Sequence, residues 1–181
     1  LSEAKMYVGV FAPSDGSVLT TQKRIFNALG QAPFQIYDQD LRDSWWTNMV
    51  FFNSIRELNS ATTILQSDLA QYISAYKTRL PGKNIDIPAR YLKEERLTGE
   101  LPSDKVSLML EKLSLKYGDD LAIDICFATN ILEVGVDVSR LCLMTIIGQP
   151  KTTASYIQAS GRVGREKSGI VFTIYNPYKP R

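Results

Sequence analysis

The chain has 181 residues, 44% hydrophobic and 22% charged, with 21 basic against 19 acidic side chains. That length suits one domain with a sizeable core, and a net charge of +2 neither demands nor excludes nucleic acid, because a local patch can do what net charge does not. With no histidine and only two cysteines, imidazole general bases, Ser-His-Asp or Cys-His chemistry and histidine-ligated metals are excluded, and no metal site is expected. No apolar run approaches the roughly 20 residues needed to cross a membrane, so the expectation is a cytoplasmic protein with no membrane partner. The start, Leu1-Ser2-Glu3-Ala4-Lys5, carries neither initiator Met nor signal peptide, as expected of a piece of a longer chain.

Lys5 to Ala12 reads as a strand closed by Pro13-Ser14-Asp15-Gly16. A helical pattern follows from Val18 to Leu29, with Leu19, Ile25, Phe26 and Leu29 at helical intervals and Gly30 as the expected stop. Residues 31–47 are irregular and aromatic, and Met49 to Phe52 is a short, wholly apolar strand. Ser54 and Glu57 form a capping box that starts a helix, and more helix is predicted from Thr62 to Leu80 until Pro81-Gly82. A short strand lies within Arg90 to Thr98. Ser103 and Asp104 open the next helix, whose Val106, Met109, Leu110 and Leu113 share one stripe and which Gly118 should end. The strands Leu121–Ala128, Leu141–Ile147 and Gly169–Tyr175 are continuously apolar, as strands covered on both faces are. Strands alternating with helices predict an α/β fold with a mostly parallel central sheet flanked by helices in three layers. Residues 1–47 read as an N-terminal extension or insertion packing on a lobe formed by 48–181.

In such sheets ligands gather where the strands finish. Three loops leave those ends: Asn53-Ser54; Thr129 to Asp137, where Asn130 and Glu133 form a second capping box and Gly135 permits a tight turn before Asp137; and Gly148-Gln149-Pro150. The last feeds the segment Tyr156 to Arg165, which carries Gln158, Arg162 and Arg165 at spacings of four and three. On a helix turning about 100° per residue those side chains fall within an arc of about 60°. Two guanidiniums and an amide aimed one way suit a polyphosphate, or form a solvated basic helix end. Asp137 suits a ribose hydroxyl or pairs with Arg140. Trp45 and Trp46 stack bases or belong to the core or an interface. Lys77, Arg79 and Lys83 read as a solvated face.

Taken in order, these segments resemble the second RecA-like lobe of a superfamily 2 helicase. Phe127 to Asp137 (FATNILEVGVD) resembles motif V, Gln158 to Arg165 (QASGRVGR) matches motif VI, Val50 to Ser54 resembles motif IV, and Leu97-Thr98-Gly99 resembles the segment between IV and V. The likeness covers roughly residues 48–176, and the runs from Gly148 to Gln158 and from Phe52 to Leu58 are similar to bacterial helicases of the DISARM phage-defence type. The resemblance implies a RecA-like fold and ATP with magnesium held mainly by a first lobe. Arg162 and Arg165 would be arginine fingers for the γ-phosphate, and Gln158 would sense that phosphate or the attacking water. Gly135 and Asp137 would contact the nucleotide, while Asn53, Ser54, Thr98, Gly99 and Thr129 would grip the backbone of a DNA or RNA strand. It implies as partners the first lobe, that strand and other defence subunits. Both guanidiniums are required to project from the surface, at the rim where the strands finish.

The chain holds no Gly-x-x-x-x-Gly-Lys-Ser/Thr loop and no Asp-Glu dipeptide, so it lacks the phosphate cradle and the acidic magnesium pair. Alone, it is predicted neither to hydrolyse ATP nor to bind it tightly. A nucleotide-binding enzyme of Rossmann type would need a Gly-x-Gly-x-x-Gly turn after the first strand, which Pro13 to Gly16 does not supply. The remaining alternative is a non-catalytic RecA-like lobe that binds protein or nucleic acid.

Overall fold

The computed structural model describes residues 4–11, 17–63, 92–129 and 137–178. The elements run β1 (Lys5–Phe11), α1 (Val18–Gln31), a 3-10 turn (Ala32–Gln35), α2 (Gln39–Ser44), β2 (Asn48–Phe52), α3 (helical over 55–63), β3 (Glu94–Leu97), α4 (Ser103–Ser114), β4 (Ile125–Ala128), β5 (Leu143–Ile147), α5 (Thr153–Ser160) and β6 (Gly169–Tyr175). The strands form one sheet in the order β1-β6-β5-β2-β4-β3, every neighbouring pair parallel. The two central strands next to each other, β2 and β5, are buried at every position.

Successive side chains of a strand point to opposite faces, so each central strand feeds two cores. Met49 and Phe51 of β2, Cys126 and Ala128 of β4, and Met144 and Ile146 of β5 face α4 and α5. There Met109 and Leu113 of the predicted α4 stripe are buried, with Val106 and Leu110 packed beside them. On the second face Val50, Phe52, Ile125, Phe127 and Ile147 meet Phe26 of α1 and Leu58 and Ala61 of α3. Phe127 anchors this side, its ring 5.3 Å from Phe52 and 5.7 Å from Phe26. The result is the three-layer arrangement expected from the sequence, with helices on both faces of a parallel sheet. The first 47 residues enter it directly: β1 pairs with β6 from Lys5↔Gly169 to Phe11↔Tyr175, and α1 covers the second face.

Several boundaries differ from the sequence reading, each for a local reason. α1 runs through Gly30 to Gln31; Gly30 does not end it but allows close packing, since a Cβ there would lie 2.9 Å from Leu92 Cδ2. α4 starts after Pro102 without a side-chain cap and ends at Ser114, while Gly118, at φ +100°, turns the chain four residues later. β4 begins at Ile125, not Leu121, because Asp119 organises a turn by accepting from Leu121 N (2.8 Å) and Ala122 N (3.1 Å). The helix predicted for 62–80 lies beyond residue 63 outside the described residues, as do Lys77, Arg79 and Lys83.

Candidate functional site

Because the strands are parallel, the residues that follow them share one rim. Ser54 is exposed and caps α3, its hydroxyl accepting from Glu57 N at 3.3 Å. Asn53 uses its Nδ2 to bond the carbonyls of Ile147 (2.8 Å) and Gly148 (2.9 Å), tying the end of β2 to the end of β5. Thr98 is half-buried and Gly99 exposed, in a turn closed by Leu101 N donating to Thr98 O at 3.1 Å. Thr129 is buried, its N–H donates to Leu97 O at 3.1 Å, and its hydroxyl has no partner among the described residues. Of the residues expected to grip a strand, Ser54, Thr98 and Gly99 therefore offer reachable surface, whereas Asn53 and Thr129 shape the loops beneath them. Asn130, Glu133 and Gly135 lie outside the described residues.

The arginine segment departs from expectation in two ways. α5 is capped by Thr152, whose hydroxyl accepts from Ser155 N at 3.1 Å, and ends at Ser160 with Gly161 as its C-cap. Only Gln158 is helical, and Arg162 and Arg165 follow in an irregular turn. Gly164 fixes that turn: its φ of +67° is not helical, its N–H donates to Leu141 O at 2.7 Å, and a Cβ on it would lie 2.8 Å from Gly169 Cα. Lys5 Nζ holds the same turn by donating to Ser160 O at 3.1 Å. The second departure is one of place. An eight-residue helix is about 12 Å long, enough to cross the sheet from the rim to where the strands begin. Leu141, Gly169 and Lys5 all lie at those beginnings, so the arginine turn sits at the opposite end of the first face from the rim.

Neither guanidinium is in the interior: Arg165 is exposed and Arg162 half-buried. Arg165 forms an ion pair with the Asp137 carboxylate, and its Nε donates to Gly161 O at 3.4 Å. The side chains of the pair are 36% and 66% exposed, so water screens it and it is worth little to stability. Exposed Gln158 stands on the same helix. This set offers guanidinium and amide donors, which suit phosphate oxygens, and it lies on an open surface that needs a second body to enclose a ligand. Among the described residues no three His, Cys, Asp or Glu side chains converge as a cation site.

Arg140 does not pair with Asp137. Its side chain, 11% exposed, lies where the strands begin, donating Nε to Leu113 O (2.8 Å), one terminal NH2 to Asp43 O (3.0 Å) and Asp43 Oδ1 (3.4 Å), and the other to Thr47 Oγ1 (2.7 Å). Burial lowers its pKa below the ordinary arginine value, and Asp43 pulls the other way. Asp43 also accepts from Tyr117 N at 2.6 Å. Trp46 packs 4.3 Å from the Tyr117 ring and edge-on to Phe34, and Arg42 lies 5.4 Å above Tyr117. The aromatic segment is thus a structural plug for the sheet's lower end, with Trp46 serving packing.

On the second face the rim holds a cleft of about 480 Å³ between the starts of α1 and α3, floored by Ile147 and Ile174. Gln22, Arg56 and Asn176, on its walls, play no part in the motif reading. Gln22 carried a sequence signal, a polar residue on the apolar stripe Leu19, Phe26, Leu29.

The model of the helicase conserved C-terminal domain matches residues 41–167. The chain is 39% identical over 182 residues to the DISARM protein DrmA of Bacillus paralicheniformis, an alignment spanning 98% of this chain and 16% of that protein. Among solved structures, it resembles domain 2 of the DEAD-box helicase Mss116p bound to an RNA duplex (TM-score 0.57, 15% identity, 95% of this chain and 54% of that one). It also resembles the DUF1998 helicase MrfA bound to DNA (TM-score 0.56, 20% identity, 95% of this chain and 20% of that one). These likenesses agree with the RecA-like fold. No described helix is long and apolar enough to cross a membrane.

Proposed function

Because the chain belongs to the helicase conserved C-terminal domain family, as the second RecA-like lobe of a superfamily 2 helicase, we propose that it completes an ATP site from across an interlobe cleft and grips a nucleic-acid strand with its rim. The observation that carries the reading is Arg165, exposed on the first face beside Asp137, with Gln158 on the adjoining helix. As these stand where the strands begin, the ATP cleft is proposed at that end and not at the rim the resemblance required. The chain's donors suit the phosphate end of ATP, with the rest of the nucleotide and the magnesium held mainly by the first lobe. ATP, when bound, supplies the bond to be hydrolysed. Arg162 and Arg165 neutralise charge on its γ-phosphate, and Gln158 orients the phosphate or the attacking water. Asp137 holds the Arg165 guanidinium outward until phosphate oxygens compete for it, and Gly135 contributes to the same nucleotide contact.

The nucleic-acid strand crosses the rim, held through its backbone at Ser54, Thr98 and Gly99, with Asn53 and Thr129 fixing the loops. Closure of the cleft around ATP and its reopening after hydrolysis move the two lobes along the strand. Such backbone contacts make binding salt-sensitive and largely indifferent to sequence. The DrmA likeness supports a setting in phage defence, with further subunits of that system as partners.

The test is made in an ATPase-competent protein that carries both lobes. Arg165→Ala and Arg162→Ala should each lower strand-stimulated turnover by at least about 100-fold, since a finger is worth about 10³–10⁵ in rate. Near-normal turnover in both, with normal folding, removes the finger assignment.

A further inference from the structure

The N-terminal strand meets the arginine turn through one side chain, Lys5. Three consecutive carbonyls close the end of α5, and each is met by a donor from this neighbourhood. Ala159 O accepts from Arg162 N at 3.1 Å, Ser160 O from Lys5 Nζ at 3.1 Å, and Gly161 O from Arg165 Nε at 3.4 Å. The last carbonyls of a helix lack partners within it and favour a cation, so an ammonium suits Ser160 O. Lys5 lies 155 positions before Ser160, and its place is set by pairing with Gly169 in the register of β1 and β6. Its stem passes close over Gly164, where a Cβ would lie 3.2 Å from Lys5 Cε. Beneath the turn, Val163 is wholly buried in the first-face core, and Gly164 N is bonded to Leu141 O at 2.7 Å. The turn is thus fixed from the core by Val163 and Gly164, and from the edge strand β1 by Lys5.

We propose that Lys5 is a positioning residue for Arg165. Its bond holds the carbonyl immediately before Gly161, and Gly161 O is where Arg165 Nε rests. Lys5 therefore sets the direction in which the guanidinium leaves the surface. The Asp137 pair is exposed and screened by water, too weak to fix that direction alone. Displacing a catalytic group by about 1 Å can cost about 100-fold in rate, so a brace on the finger's backbone has an effect on turnover. This role rests on the reading of Arg165 as a finger, and it gives β1 a share in the ATP site.

The experiment uses the ATPase-competent protein that carries both lobes. K5M keeps the stem against Gly164 and removes the donor; if it does not fold, K5Q, whose amide is one bond short of Ser160 O, takes its place. The variant should lower strand-stimulated kcat about tenfold, with KM for ATP and strand affinity changed by less than about twofold. K5R, which restores a cationic donor, should return kcat to within about threefold of wild type. In an R165A background K5M should have no further effect, because residues that act through one another are not additive. Near-normal kcat in K5M, where R165A has lost about 100-fold, overturns the role of Lys5 and leaves the finger in place. A loss that K5R does not recover, or that recurs in full in the R165A background, also overturns it. So does a parallel loss of strand affinity, which marks a general defect of the fold. If R165A itself turns over normally, the finger reading fails and Lys5 has nothing to position.

Discussion

Two arginines of this chain are each paired with an aspartate, and they behave as opposites. Arg140 and Asp43 are each only 11% exposed at the side chain, and Arg140 also reaches Leu113 O, Asp43 O and Thr47 Oγ1. Arg165 meets Asp137 on the open surface, with one further backbone contact to Gly161 O. A buried guanidinium must keep its partners, because removing one leaves an uncompensated polar group in the interior. An exposed one exchanges its carboxylate for water or phosphate at little cost. Burial therefore separates an arginine that holds the fold from one available to a ligand.

The sharpest way to break that contrast is Arg140→Ala, which should cost about 3–5 kcal/mol by urea unfolding, since it leaves the buried Asp43 charge without its cation; a loss under about 1 kcal/mol would erase the distinction. Cys126 offers a second readout. Burial, with the Glu95 charge as the lesser cause, pushes its thiol up to about 12, so iodoacetamide at pH 8 should reach it only through unfolding, faster in Arg140→Ala and unchanged in Arg165→Ala. Next in size is the proposed finger pair, where about 100-fold in rate would correspond to about 2.7 kcal/mol of transition-state stabilisation. Gly164→Ala should then destabilise by about 1–3 kcal/mol, because φ is +67° and Gly169 blocks the Cβ; a neutral result would mean that the turn adjusts freely. The smallest effect belongs to Arg165→Ala and Asp137→Ala, each expected to shift unfolding by under about 1 kcal/mol. A larger shift in either would make the exposed pair structural.

Much of this was legible along the chain. The apolar runs at 49–52, 141–147 and 169–175 supplied parallel strands, the second from Leu143 onward, since only strands covered on both faces tolerate such continuity. The stripe Val106, Met109, Leu110, Leu113 met the core as spaced. The motif residues also stood in plain sequence. What misled was the helical wheel: a spacing of four and three reads as one face only while the helix lasts, and it stops at Ser160 with Gly161 as its cap. Arg140 looked like a neighbour for Asp137, three residues away, but the chain carries it down to Asp43, a residue 97 positions earlier.

By itself the sequence determined the layered parallel sheet, the family and the residue types proposed to meet phosphate, because strand continuity, helical stripes and motif spacing are properties of neighbours along the chain. Tertiary structure alone decided which arginine is buried, which end of the sheet the exposed one occupies, and that a cleft opens between α1 and α3. Those depend on contacts between segments far apart in sequence, where burial sets what a charge or an amide is free to do.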